Sequence, residues 1–139
     1  MTHLDCTFHM RQFQLDPIVG EEDVYFLNLW GEGMALDLPE LSMEDLVYVA
    51  DEIRDAMERT EQERRQYEVD ELLYQMPEPA PNRMRFRIDR LSTLQALYQP
   101  SERLWQMAFE DNEDASQVHV LMSSLQVEAL LNALDNTID

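Results

Sequence analysis

The chain has 139 residues, with 29 acidic against 10 basic side chains, so its formal net charge at neutral pH is −19. A charge this large repels nucleic acid and anionic membranes and favours basic partners. Apolar residues make up 45% of the chain, which argues against wholesale disorder, and no apolar run approaches the length of a membrane span.

The beginning of the chain predicts three β-strands. Residues 4–10 alternate between apolar and polar side chains with a period of two, as a half-buried strand does. The apolar phase shifts by one residue at Phe13, which suggests a β-bulge near Arg11. Residues 24–30 are dense in aromatic and β-branched side chains, and residues 34–38 alternate again after a glycine-containing turn.

The helix that follows is the clearest signal in the sequence. Ser42 is placed to cap it, with Asp45 three residues later in a near capping-box position. Apolar side chains then recur at the spacing of one helical face, and carboxylates occupy the opposite face. The apolar stripe contains Leu46, Val49, Ala50, Ile53 and Met57, and the carboxylate row contains Glu44, Asp51, Asp55 and Glu58.

Residues 59–82 predict an acidic helical connector that ends in a proline-rich linker. Within it, residues 69–76 restore a helical apolar stripe, either as a continuation of the first helix or as a separate helix. This second stripe could also form a homodimer. Residues 40–78 contain 13 acidic and 4 basic side chains, which is about half of the net charge.

The second half repeats the order of the first. Residues 84–88, 105–109 and 118–122 alternate as strands, whereas residues 91–99 could extend the first of these strands or form a short helical turn.

Ser123 and Gln126 repeat the capping box, 81 residues after Ser42 and Asp45. We therefore predict an α+β fold of two βββα repeats, residues 1–58 and 83–139, joined by the connector into one compact domain.

The sequence has no recognisable catalytic, metal-binding or nucleotide-binding motif. His3 and His9 would share one face of a strand but lie roughly 20 Å apart, with Cys6 on the other face, so they cannot share a zinc ion. We therefore expect no enzyme activity, no cofactor and no bound metal. The single cysteine and the absence of a signal-peptide pattern at the N-terminus indicate a cytoplasmic protein.

The carboxylates are the candidate partner-binding residues, because an exposed array of anions is what a basic groove recognises. An ordinary solvated surface is the alternative interpretation. Arg83, Arg85 and Arg87 form a basic strip on one strand, for which we expect an internal partner, the acidic helices. The predicted partner-binding residues are Glu44, Asp51, Asp55, Glu58, Glu61, Glu63, Glu110, Asp111, Glu113 and Asp114.

The leading functional hypothesis is a non-enzymatic protein that blocks a basic, nucleic-acid-binding surface of a larger protein by mimicking nucleic acid. In charge and size the chain resembles the small acidic anti-restriction and anti-CRISPR proteins of phages and plasmids. In size, acidity and α+β character it also resembles the dimeric chaperones of type III secretion, although those open with a helix. A small hydrolase with an unrecognised carboxylate site is the third hypothesis.

Overall fold

A computed structural model describes residues 5–31, 33–65 and 84–139 of the chain. These residues form an α+β fold with eight strands in two sheets, and a long helix follows each group of four strands. The strands are β1 (Asp5–His9), β2 (Gln12–Pro17), β3 (Val24–Gly31), β4 (Met34–Ser42), β5 (Met84–Arg87), β6 (Leu91–Gln99), β7 (Leu104–Asp111) and β8 (Gln117–Met122). The helices are α1 (Met43–Arg59), α2 (Glu61–Arg65) and α3 (Ser124–Ile138).

Each sheet combines three consecutive strands of one half with the first strand of the other half. Sheet I has the order β1-β8-β7-β6, and sheet II has the order β2-β3-β4-β5. Neighbours within a half are antiparallel, whereas the two pairings between halves, β1 with β8 and β4 with β5, are parallel. Neither sheet is therefore complete without strands from both halves.

The chain passes from one sheet to the other at two sharp corners. At the first, the Met10 N–H donates to the Leu121 carbonyl of sheet I, and the next residue, Arg11, donates to the Trp30 carbonyl of sheet II, both at 2.8 Å. At the second, the Ile88 N–H donates to β4 of sheet II at 2.9 Å, and β6 of sheet I begins three residues later.

The structure has four strands in each half where the sequence predicted three. The phase shift at Phe13 is the corner between β1 and β2, not a bulge within one strand. Residues 91–99 form a strand of their own that pairs with β7, instead of an extension of β5 or a helical turn. Apolar and polar side chains alternate both in a strand that continues and in a strand that passes to another sheet. The sequence pattern therefore could not distinguish these two cases.

Both long helices begin at the capping boxes that the sequence predicts. In α1 the Ser42 hydroxyl accepts the Asp45 N–H, and the Asp45 carboxylate accepts the Ser42 N–H. Ser123 and Gln126 exchange the same two hydrogen bonds at the start of α3. These bonds satisfy N–H groups that a helix start otherwise leaves without partners.

The apolar stripes of α1 and α3 and the inner faces of the sheets share one core. Its polar groups have partners, since the Trp105 indole N–H donates to the Ser124 hydroxyl at 2.9 Å. The Tyr48 hydroxyl accepts the Leu94 N–H at 3.1 Å, so α1 covers part of the edge strand β6. Helix residues at most 1% exposed are Leu46, Val49, Ala50, Ile53, Ala56, Val127, Leu130 and Leu134.

The first helix ends at Arg59, the first residue of the predicted connector. The N–H and hydroxyl of Thr60 both donate to the Ala56 carbonyl, and α2 begins one residue later. The predicted apolar stripe at residues 69–76 and the proline-rich linker lie outside the described residues.

Gly31 lies where the first corner passes close to the end of β3. A Cβ at Gly31 would overlap the His9 carbonyl oxygen and lie 2.9 Å from the Arg11 nitrogen. Because both atoms belong to the backbone, we expect Gly31→Ala to lower the free energy of unfolding by about 3 kcal/mol or more, measured by chemical denaturation.

Gly20→Ala is the matched control, because Gly20 has a φ of +90° but no atom near the position of an added Cβ. Backbone strain alone should cost this variant about 1–2 kcal/mol. Equal losses in the two variants would mean that the corner tolerates a side chain.

Candidate partner-binding surface

Helix α1 places its carboxylate row on the solvent side of the fold. Glu44, Asp51, Asp55 and Glu58 are all exposed, because burial of the apolar stripe fixes the rotation of the helix. The row spans about 21 Å along the helix axis, at about 1.5 Å of rise per residue.

Within the described residues, only one of these four carboxylates is neutralised by a neighbouring cation. Arg54 donates to Asp51 at 3.0 Å and to Asp135 of α3 at 2.6 Å. The hydrogen bond and charge of Asp135, together with Asp51, raise the pKa of the guanidinium. The carboxylates of Glu44, Asp55 and Glu58 form no hydrogen bond or ion pair with any described residue.

The short helix α2 extends the acidic surface and directs one of its arginines inward. Glu61 pairs with Arg65 at 2.7 Å, and Glu63 is exposed. Arg64 donates to the Met57 carbonyl at 2.9 Å, and its guanidinium lies 5.6 Å from the centre of the Trp105 ring. The positive charge of Arg64 is therefore used to hold α2 against the fold.

Three of the four predicted carboxylates near the β7–β8 turn have local structural roles. Asp111 accepts the Glu113 N–H at 3.1 Å, and Asp114 accepts the Ser116 N–H at 2.9 Å, bonds that are typical of aspartates in turns. Glu110 accepts hydrogen bonds from two side chains, Thr93 at 3.1 Å and Gln117 at 3.4 Å. The fourth, Glu113, is exposed.

The turn and the start of α1 meet at one polar cleft of about 460 Å³. Asn112 of the turn and Asp45 of the helix line it, together with Asp89 and Arg90 of the corner between β5 and β6. The cleft mixes both signs of charge, and in the described part of the chain no group of three potential metal ligands lies close enough to hold an ion.

The basic strip has partners other than the predicted acidic helices. Arg85 makes a two-pronged contact with Asp37, at 2.9 and 2.7 Å, and Arg87 donates to Asp89 at 2.6 Å. These hydrogen bonds raise the pKa of both guanidinium groups. The predicted partner was wrong because the true one depends on the pairing of β5 with β4, which the sequence does not reveal. This pairing places Arg85 and Arg87 beside Asp37. Arg83 lies outside the described residues.

Cys6 and His119 lie on neighbouring strands of sheet I. Cys6 is half-buried against the core, and burial together with the charge of Asp5 raises the pKa of its thiol. His119 Nδ1 lies 2.6 Å from Gln106 Nε2 on the outer face of sheet I. His3 lies outside the described residues. Among the described helices, none is both long and apolar enough to cross a membrane.

Comparisons of the chain with protein-family models, with curated proteins and with solved structures found no match.

The ion pair between Arg54 and Asp135 joins the two long helices, so its coupling energy is measurable. Both side chains are about 40% exposed, and solvent screening limits such a pair. We expect a double-mutant cycle of Arg54→Met and Asp135→Asn to give a coupling of about 0.5–1 kcal/mol in urea unfolding.

A parallel cycle of Arg54→Met with Asp51→Asn is the control within one helix, and we expect a smaller coupling of about 0.3–0.5 kcal/mol. A larger value for Asp51 than for Asp135 would show that the contact between the helices is the weaker of the two.

Proposed function

We propose that this protein is a non-enzymatic binding protein whose α1 carboxylate row occupies a basic surface of a larger protein. The supporting observation is the division of charge around α1. Arg54 and Arg64 are held by contacts within the fold, whereas the carboxylates of Glu44, Asp55 and Glu58 form no bonds to described residues. Arg59, at the end of the helix, is exposed. Two of the neighbouring positive charges are thus engaged within the fold, and the negative charge of the row is left for a partner.

A nucleic-acid-binding protein is the class of partner that this surface fits best. The binding groove of such a partner receives a line of closely spaced anions. Release of the counterions of the groove favours the binding of any array of anions. On α1, about 21 Å of rigid helix offers such a line at fixed spacing. We therefore propose that the protein acts as an inhibitor that competes with nucleic acid, as some proteins of phages and plasmids do.

We also infer that the two halves are copies of one ββββα unit whose first strands have been exchanged. The two sheets have equivalent strand orders and equivalent parallel pairings. Arg54 and Asp135 are 81 residues apart, which is also the separation of the capping residues Ser42 and Ser123. Close to a two-fold axis, a residue of one copy contacts the equivalent residue of the other copy. Identical charges would repel each other there, whereas Arg54 and Asp135 carry opposite charges.

The equivalent positions of α3 favour a specialised role for the row on α1. With the 81-residue offset, Glu44, Asp51 and Asp55 correspond to Leu125, Asn132 and Asn136, all of which are exposed, and Glu58 corresponds to another carboxylate, Asp139. Solubility alone would be served by carboxylates on either helix. Three of the four row positions are instead acidic in the first copy only, as expected for a surface that recognises a partner.

The test replaces the unpaired carboxylates without changing shape. We expect Glu44→Gln, Asp55→Asn and Glu58→Gln together to weaken binding to the captured host partner by tenfold or more. The affinity of the native protein should fall steeply with added salt, because exposed charges are screened beyond about 8 Å at physiological ionic strength. Capture from the host with and without nuclease, followed by binding measurements on the purified partner, provides the readout.

The matched control makes the same change in net charge in the β2–β3 turn, by Glu21→Gln, Glu22→Gln and Asp23→Asn. Asn suits position 23, where φ is 54°. The control should bind like the native protein. Equal weakening of both triple variants would show that net charge alone matters, and unchanged binding of the α1 variant would exclude the row as the binding surface.

A further inference from the structure

Strand β5 lies at the end of sheet II, and no other strand among the described residues pairs with its outer backbone edge. The N–H groups of Met84 and Ile88 donate to carbonyls of β4 at 3.1 and 2.9 Å. In a parallel ladder alternate residues face the partner strand, so Arg85 and Arg87 direct their N–H and C=O groups away from β4. Within the described residues, no backbone hydrogen bond reaches these groups.

A hollow lies on each side of this edge. One, of about 450 Å³ on the outer face of sheet II, has apolar walls that include Phe26 and Pro39. The other, of about 200 Å³ on the inner side, is lined by residues that include Asp111 and Asp114. Both include residues of β5. Because successive side chains of a strand point to opposite faces, a strand laid along β5 would place alternate side chains in the two hollows.

A short edge strand with charged side chains is also a common protection against unwanted pairing. In β5, however, those charges are already neutralised, Arg85 by Asp37 and Arg87 by Asp89. The net charge of −19 opposes pairing with a second copy of this chain and attracts a basic partner. Charge therefore favours a partner of opposite sign at this edge over self-association.

We propose that the free edge of β5 binds an extended basic segment of a partner protein by strand addition. The backbone of the segment pairs with Arg85 and Arg87. Its lysine or arginine side chains face Asp111 and Asp114, and its alternate aliphatic side chains contact Phe26. This site lies on a different element from the α1 carboxylate row, so either proposal can fail without the other.

The first test uses the full-length protein and a short synthetic peptide in which arginine or lysine alternates with valine or leucine. We expect the amide hydrogens of Arg85 and Arg87 to exchange rapidly in the free protein and to become protected when the peptide is added, as followed by NMR. Amides that are already protected in the free protein would show that the chain covers this edge itself, which would overturn the proposal.

Because a basic peptide can adhere to any acidic surface, the matched control alters only its backbone. N-methylation at alternate residues removes the N–H groups that face β5 in one version and those that face solvent in the other. We expect the first version to bind about tenfold more weakly, the value of one or two hydrogen bonds, and the second to bind normally. Equal binding of both N-methylated peptides would show that the peptide binds only by non-specific charge attraction.

The test on the protein side compares Arg87→Pro with Arg87→Ala. Proline removes the outward N–H and is tolerated on an edge strand when that group makes no ladder bond, whereas alanine removes only the side chain. We expect about tenfold weaker peptide binding for R87P and, because a positive charge is lost, binding at least as strong as native for R87A. Loss of binding in R87A alone would assign the site to the guanidinium group and overturn strand addition.

Discussion

The first strand of each half pairs within the sheet of the other half, and the rest of the structure depends on this constraint. β1 completes the sheet of the second half, and β5 completes the sheet of the first. Both crossing segments also bring apolar side chains into the common core, with Phe8 of β1 only 1% exposed and Ile88, which directly follows β5, only 3%. The two halves therefore bury their apolar surface together, and a half that loses its partner loses both a strand and part of its core.

This shared core allows the surface to remain strongly acidic. Like charges along a helix destabilise it by a few tenths of a kcal/mol per pair, and burial of a single large apolar side chain offsets several such pairs. Three of the arginines have defined structural roles. Arg54 links the helices, Arg64 lies over Trp105, and Arg85 fixes β5 to β4.

The sequence predicts the parts of this fold that depend on neighbours along the chain. Ser42 with Asp45 and Ser123 with Gln126 determine the helix starts, and the 3.6-residue periodicity identifies the buried face. Contacts between distant residues were not predictable. Which strand pairs with β1 depends on both halves, so the sequence pattern at Met10 predicts a bulge where the structure has a corner. For the same reason, the sequence predicts the acidic helices as the partner of Arg85, whereas the partner is Asp37 of β4.

The two proposed surfaces would contribute differently to a complex with a basic partner. Exposed carboxylates act at a distance and mainly accelerate encounter, in a manner that salt suppresses. Backbone pairing acts only in contact, and it selects conformation and register instead of charge. The carboxylates of the row impose no directional bonds, and the two arginines of β5 are already paired with Asp37 and Asp89. Under the two proposals, attraction and alignment would therefore reside in separate elements of one core.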